Sequence, residues 1–121
     1  MKSRFDAKAF VPLPHVHLEI LVCLAEGERH GYALKREISQ RTQGRIKLGP
    51  GSLYGAIRKL SEDDLIEESG RRPASHLDDE RRRYYCLTAK GQAVLKAETA
   101  RLRSLLELAE TRFASNRLRQ A

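Results

Sequence analysis

A mainly α-helical domain with one small β-hairpin and a long C-terminal helix is predicted by three observations on this sequence. Residues 46–66 (IKLGPGSLYGAIRKLSEDDLI) read as a glycine-proline-glycine turn, a helix with Leu53, Ile57 and Leu60 at helical spacing, and an exit into a strand. Residues 65–68 (LIEE) and 81–87 (RRRYYCL) read as two strands joined by a loop that holds Gly70, Pro73 and Ala74. From Thr88 onward, Leu95, Leu102, Leu106, Ala109 and Phe113 recur in steps of seven, four, three and four, which is one stripe along a helix. Helix, then hairpin with a basic tip, is the order of a winged helix-turn-helix domain.

Composition narrows the rest. A chain of 121 residues is one domain with a modest core. It has no apolar run approaching the length of about 20 residues that spans a bilayer, and no signal-peptide pattern at its start. A soluble cytoplasmic protein without a membrane partner is therefore expected. Cys23 and Cys86 lie far apart in apolar surroundings, without a second cysteine at metal or redox spacing, and read as two reduced core thiols. His15 and His17 point in different directions on a helix and make a poor metal pair. His30 has no Ser, Cys or carboxylate cluster beside it, which leaves it a capping or packing role. No catalytic, cofactor or metal site is expected, and GPG before the central helix is too short for a phosphate loop.

Taken in order, residues 1–13 show no sustained period and read as a flexible or partner-contacting arm. A winged helix-turn-helix domain follows over residues 14–91, with a dimerisation helix and tail over 92–121. The first helix starts at Pro14, carries Leu18, Leu21, Val22 and Ala25 on one face, and ends at residues 26–28. The second runs from His30-Gly31-Tyr32 to about Gln43, with Leu34 and Ile38 inward, Lys35, Arg36, Gln40 and Arg41 outward, and Gly44 as its C′ residue. Residues 45–48 alternate like a very short strand. In the second hairpin strand Tyr85 and Leu87 share one face and Tyr84 and Cys86 the other, so one tyrosine packs inward. Thr88 caps a last helix that runs to about Phe113, and residues 114–121 are frayed.

Charge points to a partner. The net charge is +7, and residues 29–59 hold eight basic residues against the single acid Glu37. A second basic block at residues 71–90 follows the acidic residues 62–68. Two basic surfaces brought together by folding suit a phosphate backbone. In the central helix Ser52 stands where an N-cap belongs, and Ser52, Tyr54, Gly55, Arg58 and Lys59 form the face opposite the apolar stripe, with no acid before Glu62. That face, with Lys47 before it and Arg71, Arg72, Arg81, Arg82 and Arg83 in the wing, is the candidate contact with double-stranded DNA. Asp78, Asp79 and Glu80 are expected to hold wing arginines by local ion pairing. The stripe on the last helix is too long for one small domain to cover, so a second copy is expected on it.

The ordered set His30-Gly31-Tyr32, Gly51-Ser52-Leu53-Tyr54 with Ile57 and Leu60, and Arg83-Tyr84-Tyr85 with Leu87-Thr88 and Gly91 resembles the PadR family of bacterial transcriptional regulators, over about residues 15–113. Its short length and single C-terminal helix are similar to the smaller subgroup. The resemblance implies a winged helix-turn-helix fold, repression of transcription and response to a small-molecule effector; two recognition helices entering successive major grooves would bind an inverted-repeat operator. It also implies a homodimer in which the C-terminal helix packs on the partner's first helix. That places Leu18 and Leu21 with Leu95, Leu102, Leu105, Leu106, Ala109 and Phe113 in the dimer seam, the place left for an effector. Gly55 departs from the family's frequent proline, and Asp64 from its frequent glycine. A winged-helix protein–protein adaptor and a nonspecific basic DNA-coating protein are the two alternatives that fit the same basic surface.

Overall fold

The computed structural model describes residues 5–70 and 83–120. Four helices, α1 (His15–Ala25), α2 (Gly31–Arg41), α3 (Pro50–Glu62) and α4 (Ala89–Gln120), surround a small sheet of β1 (Arg29–His30), β2 (Ile66–Glu68) and β3 (Tyr84–Leu87). The sheet is antiparallel in the order β1-β3-β2, with Ile66 opposite Leu87 and Arg29 opposite Tyr85. The expected mainly α fold with a hairpin wing is what the structure shows.

The core is built from one face of each element. Ile20, Leu21 and Leu24 of α1, Leu34 and Ile38 of α2, Leu53, Ile57 and Leu60 of α3, and Val94 of α4 meet Leu65, Ile66 and Tyr85 of the hairpin. Tyr85 is the buried tyrosine of its pair, as strand alternation requires.

The helix ends are fixed by hydrogen bonds that the composition only hints at. His30 caps α2, its Nδ1 accepting from Ala33 N–H at 3.0 Å. Thr88 caps α4, its Oγ1 accepting from Gly91 N–H at 3.0 Å, and the same hydroxyl donates to the Asp64 carbonyl at 2.6 Å, tying the start of α4 to the end of α3. Both α2 and α3 end in a Schellman motif, a pair of backbone bonds that needs a left-handed residue just past the helix. In α2 the bonds run from Gly44 N–H to Ser39 O and from Gln43 N–H to Gln40 O, so Gln43 (φ 56°) is the C′ residue and Gly44 follows it, one place later than expected. In α3 they run from Leu65 N–H to Leu60 O and from Asp64 N–H to Ser61 O, with Asp64 at φ 61°. Aspartate tolerates that conformation better than most residues, which is how the turn survives without glycine.

Three expectations change. Residues 45–48 form no strand, because both edges of β3 are already taken by β1 and β2. Their alternation reflects burial alone: Ile46 and Leu48 pack inward, and Ile46 N–H is held by Thr42 Oγ1 at 3.1 Å. Residues 5–13 are not a loose arm, since a short 3₁₀ turn (Ala7–Phe10) lies against α4 and Ala7, Phe10, Val11 and Leu13 pack on the core. The last helix passes Phe113 and stays helical through Gln120, where a frayed tail was expected.

Glu98 is the buried charge that fastens the N-terminal segment. Its side chain is fully buried in α4, accepting from Leu13 N–H at 2.8 Å and from Arg101 Nε at 2.5 Å. The Arg101 guanidinium, helped by the Leu13 amide, holds the carboxyl below its ordinary value against the cost of burial. A depressed folded-state pKa means stability that is present above the ordinary carboxylate range and is lost as pH falls through the folded value. Glu98→Gln is expected to lower stability by about 1 kcal/mol at pH 7, since a neutral amide keeps the shape but weakens the charge-assisted bond. Urea midpoints of the two proteins should converge as pH is lowered below the ordinary value of 4.5. A gap that stays constant with pH would contradict this role.

Candidate nucleic-acid interface

Helix α3 lies across the domain with Leu53, Ala56, Ile57 and Leu60 buried, while Ser52, Arg58 and Lys59 are exposed and Gly55 is half-exposed. Its start differs from the expectation. Gly49 is the N-cap and Pro50 the first helical residue, its fixed φ suited to that place, so Ser52 lies inside the first turn and makes no cap. Leu53 N–H bonds to Gly49 O at 3.0 Å, closing that turn. Ser52 keeps its exposed position near the helix start.

Tyr54 is corrected. It is 8% exposed, so it does not stand on the outer face. Its ring lies over Gly31, where a Cβ would come within 3.0 Å of the ring and of the hydroxyl oxygen. Gly31 therefore exists to admit Tyr54, and the two lock the start of α2 to the first turns of α3. The sequence carried this signal in the glycine of His30-Gly31-Tyr32, but its spacing set Tyr54 on the face opposite Leu53, Ile57 and Leu60.

The cations around α3 are not equally available. Lys59 pairs with Asp63 at 3.3 Å, one turn on along the helix. Arg58 helps line a cleft of about 430 Å³ between α3 and the hairpin, together with Glu62, Glu67, Glu68 and Arg83. Arg83, at the base of the wing, is drawn to Glu68 at 4.0 Å. Lys47 is exposed in the link between α2 and α3. Arg71, Arg72, Arg81 and Arg82, with the wing acids Asp78, Asp79 and Glu80, lie outside the described residues.

The outward residues of α2, Lys35, Arg36, Gln40 and Arg41, are exposed as expected. Arg41 also reaches α1, with Nη2 2.5 Å from Glu19 Oε1 and 3.5 Å from Cys23 Sγ. His15 approaches the other Glu19 oxygen at 3.0 Å. Burial pushes the Cys23 thiol up to about 11, so Cys23 is an inert core thiol. Tyr32, by contrast, is exposed, with the Arg36 guanidinium 5.9 Å from its ring centre. Together with exposed Lys35 it extends the basic surface along α2, a feature that charge counting found as a block without singling out the tyrosine.

On the far side, Leu102, Leu105, Leu106 and Phe113 are exposed and Ala109 is half-exposed on α4. Leu18 is half-buried, and Leu95 packs against the chain's own core. Leu21 is fully buried inside that core, so a second copy has no access to it, and it leaves the set of expected dimer residues. Among the described residues no group of three or more His, Cys, Asp or Glu is placed to hold a metal ion, and no helix is long and apolar enough to cross a membrane.

Gly55 is a test of the outer face. A Cβ there meets nothing within 4 Å, and α3 continues past it for two turns. Gly55→Ala is expected to raise stability by about 0.5–1 kcal/mol, the ordinary gain inside a helix. Thermal melts will show it, and a lower Tm would mean that the site is occupied after all.

Residues 20–97 match the model of the transcriptional regulator PadR-like family. Over 82 residues the chain is 40% identical to a 37.1 kDa protein in transposon TN4556 of Streptomyces fradiae, a match covering 65% of this chain but only 20% of that longer protein. It is 35% identical over 90 residues to the transcriptional regulator Rv3488 of Mycobacterium tuberculosis, covering 74% of this chain and 78% of that one. The solved structure of RosR from H. salinarum superposes with a TM-score of 0.65 at 25% identity, covering 88% of this chain and 96% of that one. With a family match over more than half its length and a regulator of 35% identity covered to 78%, this chain belongs to the PadR-like family of transcriptional regulators.

Proposed function

We propose that the chain is a homodimeric, sequence-specific DNA-binding repressor in which α3 reads the major groove and the hairpin holds the flanking backbone. The observation that carries this is the division of α3: a buried stripe of Leu53, Ala56, Ile57 and Leu60 fixes the helix, and Ser52, Gly55, Arg58 and Lys59 are left on the side away from it. Arginine gives bidentate contact to guanine, so Arg58 takes the base-reading role. Lys59, already balanced by Asp63, takes a phosphate.

Lys47 and Ser52 reach phosphates from the link and the helix start, and Arg83 with Arg71, Arg72, Arg81 and Arg82 supplies the wing contacts. Tyr54 acts indirectly, by holding α3 against Gly31. The exposed α4 residues, continuous with a buried face, support a two-fold dimer that sets the two α3 helices about one helical turn apart on an inverted repeat. Repression then follows from occupancy. A small-molecule effector works by changing the spacing of the two heads through the seam between subunits.

Gel shift with genomic fragments at moderate salt, against random competitor DNA, tests the proposal. A discrete complex that survives competitor and gives a footprint is expected. High affinity without a footprint would instead mean nonspecific coating, and no retention would leave the adaptor reading.

A further inference from the structure

The C-terminal half of α4 and a cavity on the same chain have complementary chemistry. The cavity, about 660 Å³, opens where the end of α1, β3 and the first half of α4 meet. Leu24, Leu87 and Leu95 give it apolar walls, Cys86 lies among them, and the exposed side chains of Lys96 and Arg103 belong to its lining. Further along α4, Leu102, Leu105, Leu106 and Phe113 stand in solvent, Phe113 with 67% of its surface exposed. Leu105 lies seven residues after fully buried Glu98 and eleven after fully buried Val94, so the exposed residues continue the face that the first half of the helix buries. Glu107 and Glu110 are set among them.

Two α4 helices crossing antiparallel about a two-fold axis near residues 105 and 106 bring Phe113 of one copy level with residues 96–100 of the other, about 11 Å from the axis on either side at about 1.5 Å per residue. The same register sets Glu107 within a turn of Arg103, and Glu110 beside Arg101. We propose that Phe113 of a second copy seats in this cavity, its ring against Leu24, Leu87 and Leu95, with Glu107 and Glu110 facing the basic residues of the opposite α4. An aromatic anchor in a pocket, with charges around it, is where interfaces concentrate their binding energy. The inference rests on the homodimer of the proposed function and adds which residue anchors it and where.

The chain supplies its own probe. Cys86 is half-buried in the cavity lining, whereas Cys23 is 1% exposed with its thiol pushed up to about 11. In the full-length Phe113→Cys variant, oxidised glutathione is expected to join the introduced thiol to Cys86 of the partner subunit. The two thiols give up two electrons and two protons, and the glutathione disulfide is reduced to two thiols. The product is a covalent dimer on a non-reducing gel that a reductant reverses, that adding Cys86→Ser abolishes, and whose linked peptides contain positions 86 and 113. In the otherwise unaltered protein, Phe113→Ala is expected to speed alkylation of Cys86 by a maleimide. A protein that is dimeric by light scattering but gives no such cross-link, with alkylation of Cys86 unchanged, overturns the seating of Phe113 and leaves the homodimer standing. A monomer at micromolar concentration overturns both.

Discussion

Gly91→Ala is expected to cost about 3 kcal/mol of stability, with Tm falling on the order of 10–20 °C, although alanine is the better helix former. Gly91 sits in the first turn of α4, directly over the junction of α3 and β2. A Cβ there would lie 1.9 Å from the Leu65 carbonyl oxygen and 2.9 Å from its carbon. That carbonyl also accepts from Thr88 N–H at 3.1 Å, so neither side can withdraw without breaking the bond that ties the start of α4 to the hairpin. Backbone, rather than a flexible side chain, would have to move. Because α4 carries the proposed dimer face, the same shift should disturb DNA binding beyond the loss of folded protein. Gly55→Ala is the internal control: the same methyl group, in the same kind of helix, with the opposite sign. Denaturant melts that place the Gly91→Ala protein level with the wild type would show that the close approach is not real.

Arg58→Ala is expected to cost about 1–3 kcal/mol of binding to the preferred sequence and to relax the preference at one base pair of each half-site. Arg58 is exposed on α3, and its side chain lies toward a cleft that also holds Glu62, Glu67, Glu68 and Arg83. Those carboxylates lower the local positive potential. They also reject a misplaced phosphate, so arginine gains most when its two N–H donors meet a matched acceptor pair such as guanine. Lys59→Ala should behave differently. It removes a cation already paired with Asp63, weakens binding to all sequences alike, and reduces the salt dependence. The two variants are compared by titration on the preferred site and on random DNA. Equal losses on both for Arg58→Ala would remove it from base readout.

The parts of the fold legible in the sequence are those where one face is buried and the other is not. Leu53, Ile57 and Leu60 announced α3, the Tyr84–Leu87 alternation announced β3, and Thr88 announced the start of α4. What stayed hidden was set by partners distant in sequence. The two residues of β1 are too few to carry a period, and are a strand only because β3 offers them an edge. Arg41 is exposed, as its place on the wheel requires, but its pairing with Glu19 on another helix has no trace in the wheel. Tyr54 lies next to Leu53 in sequence and off the apolar stripe, but the space left by Gly31 takes its ring. The N-terminal segment has no period because its one 3₁₀ turn is too short to carry one, and it is held by packing along α4. The candidate interface was legible as a charge pattern. Which cations are already engaged by Asp63, Glu68 or Glu19 was not, since ion pairs depend on the packing of whole elements.

The most direct measurement is selection of bound sequences from random DNA with the full-length chain. The account predicts an inverted repeat whose half-sites are centred about one helical turn, roughly 10 base pairs, apart, with a guanine that loses its preference in the Arg58→Ala protein. An asymmetric consensus, or none, would contradict it.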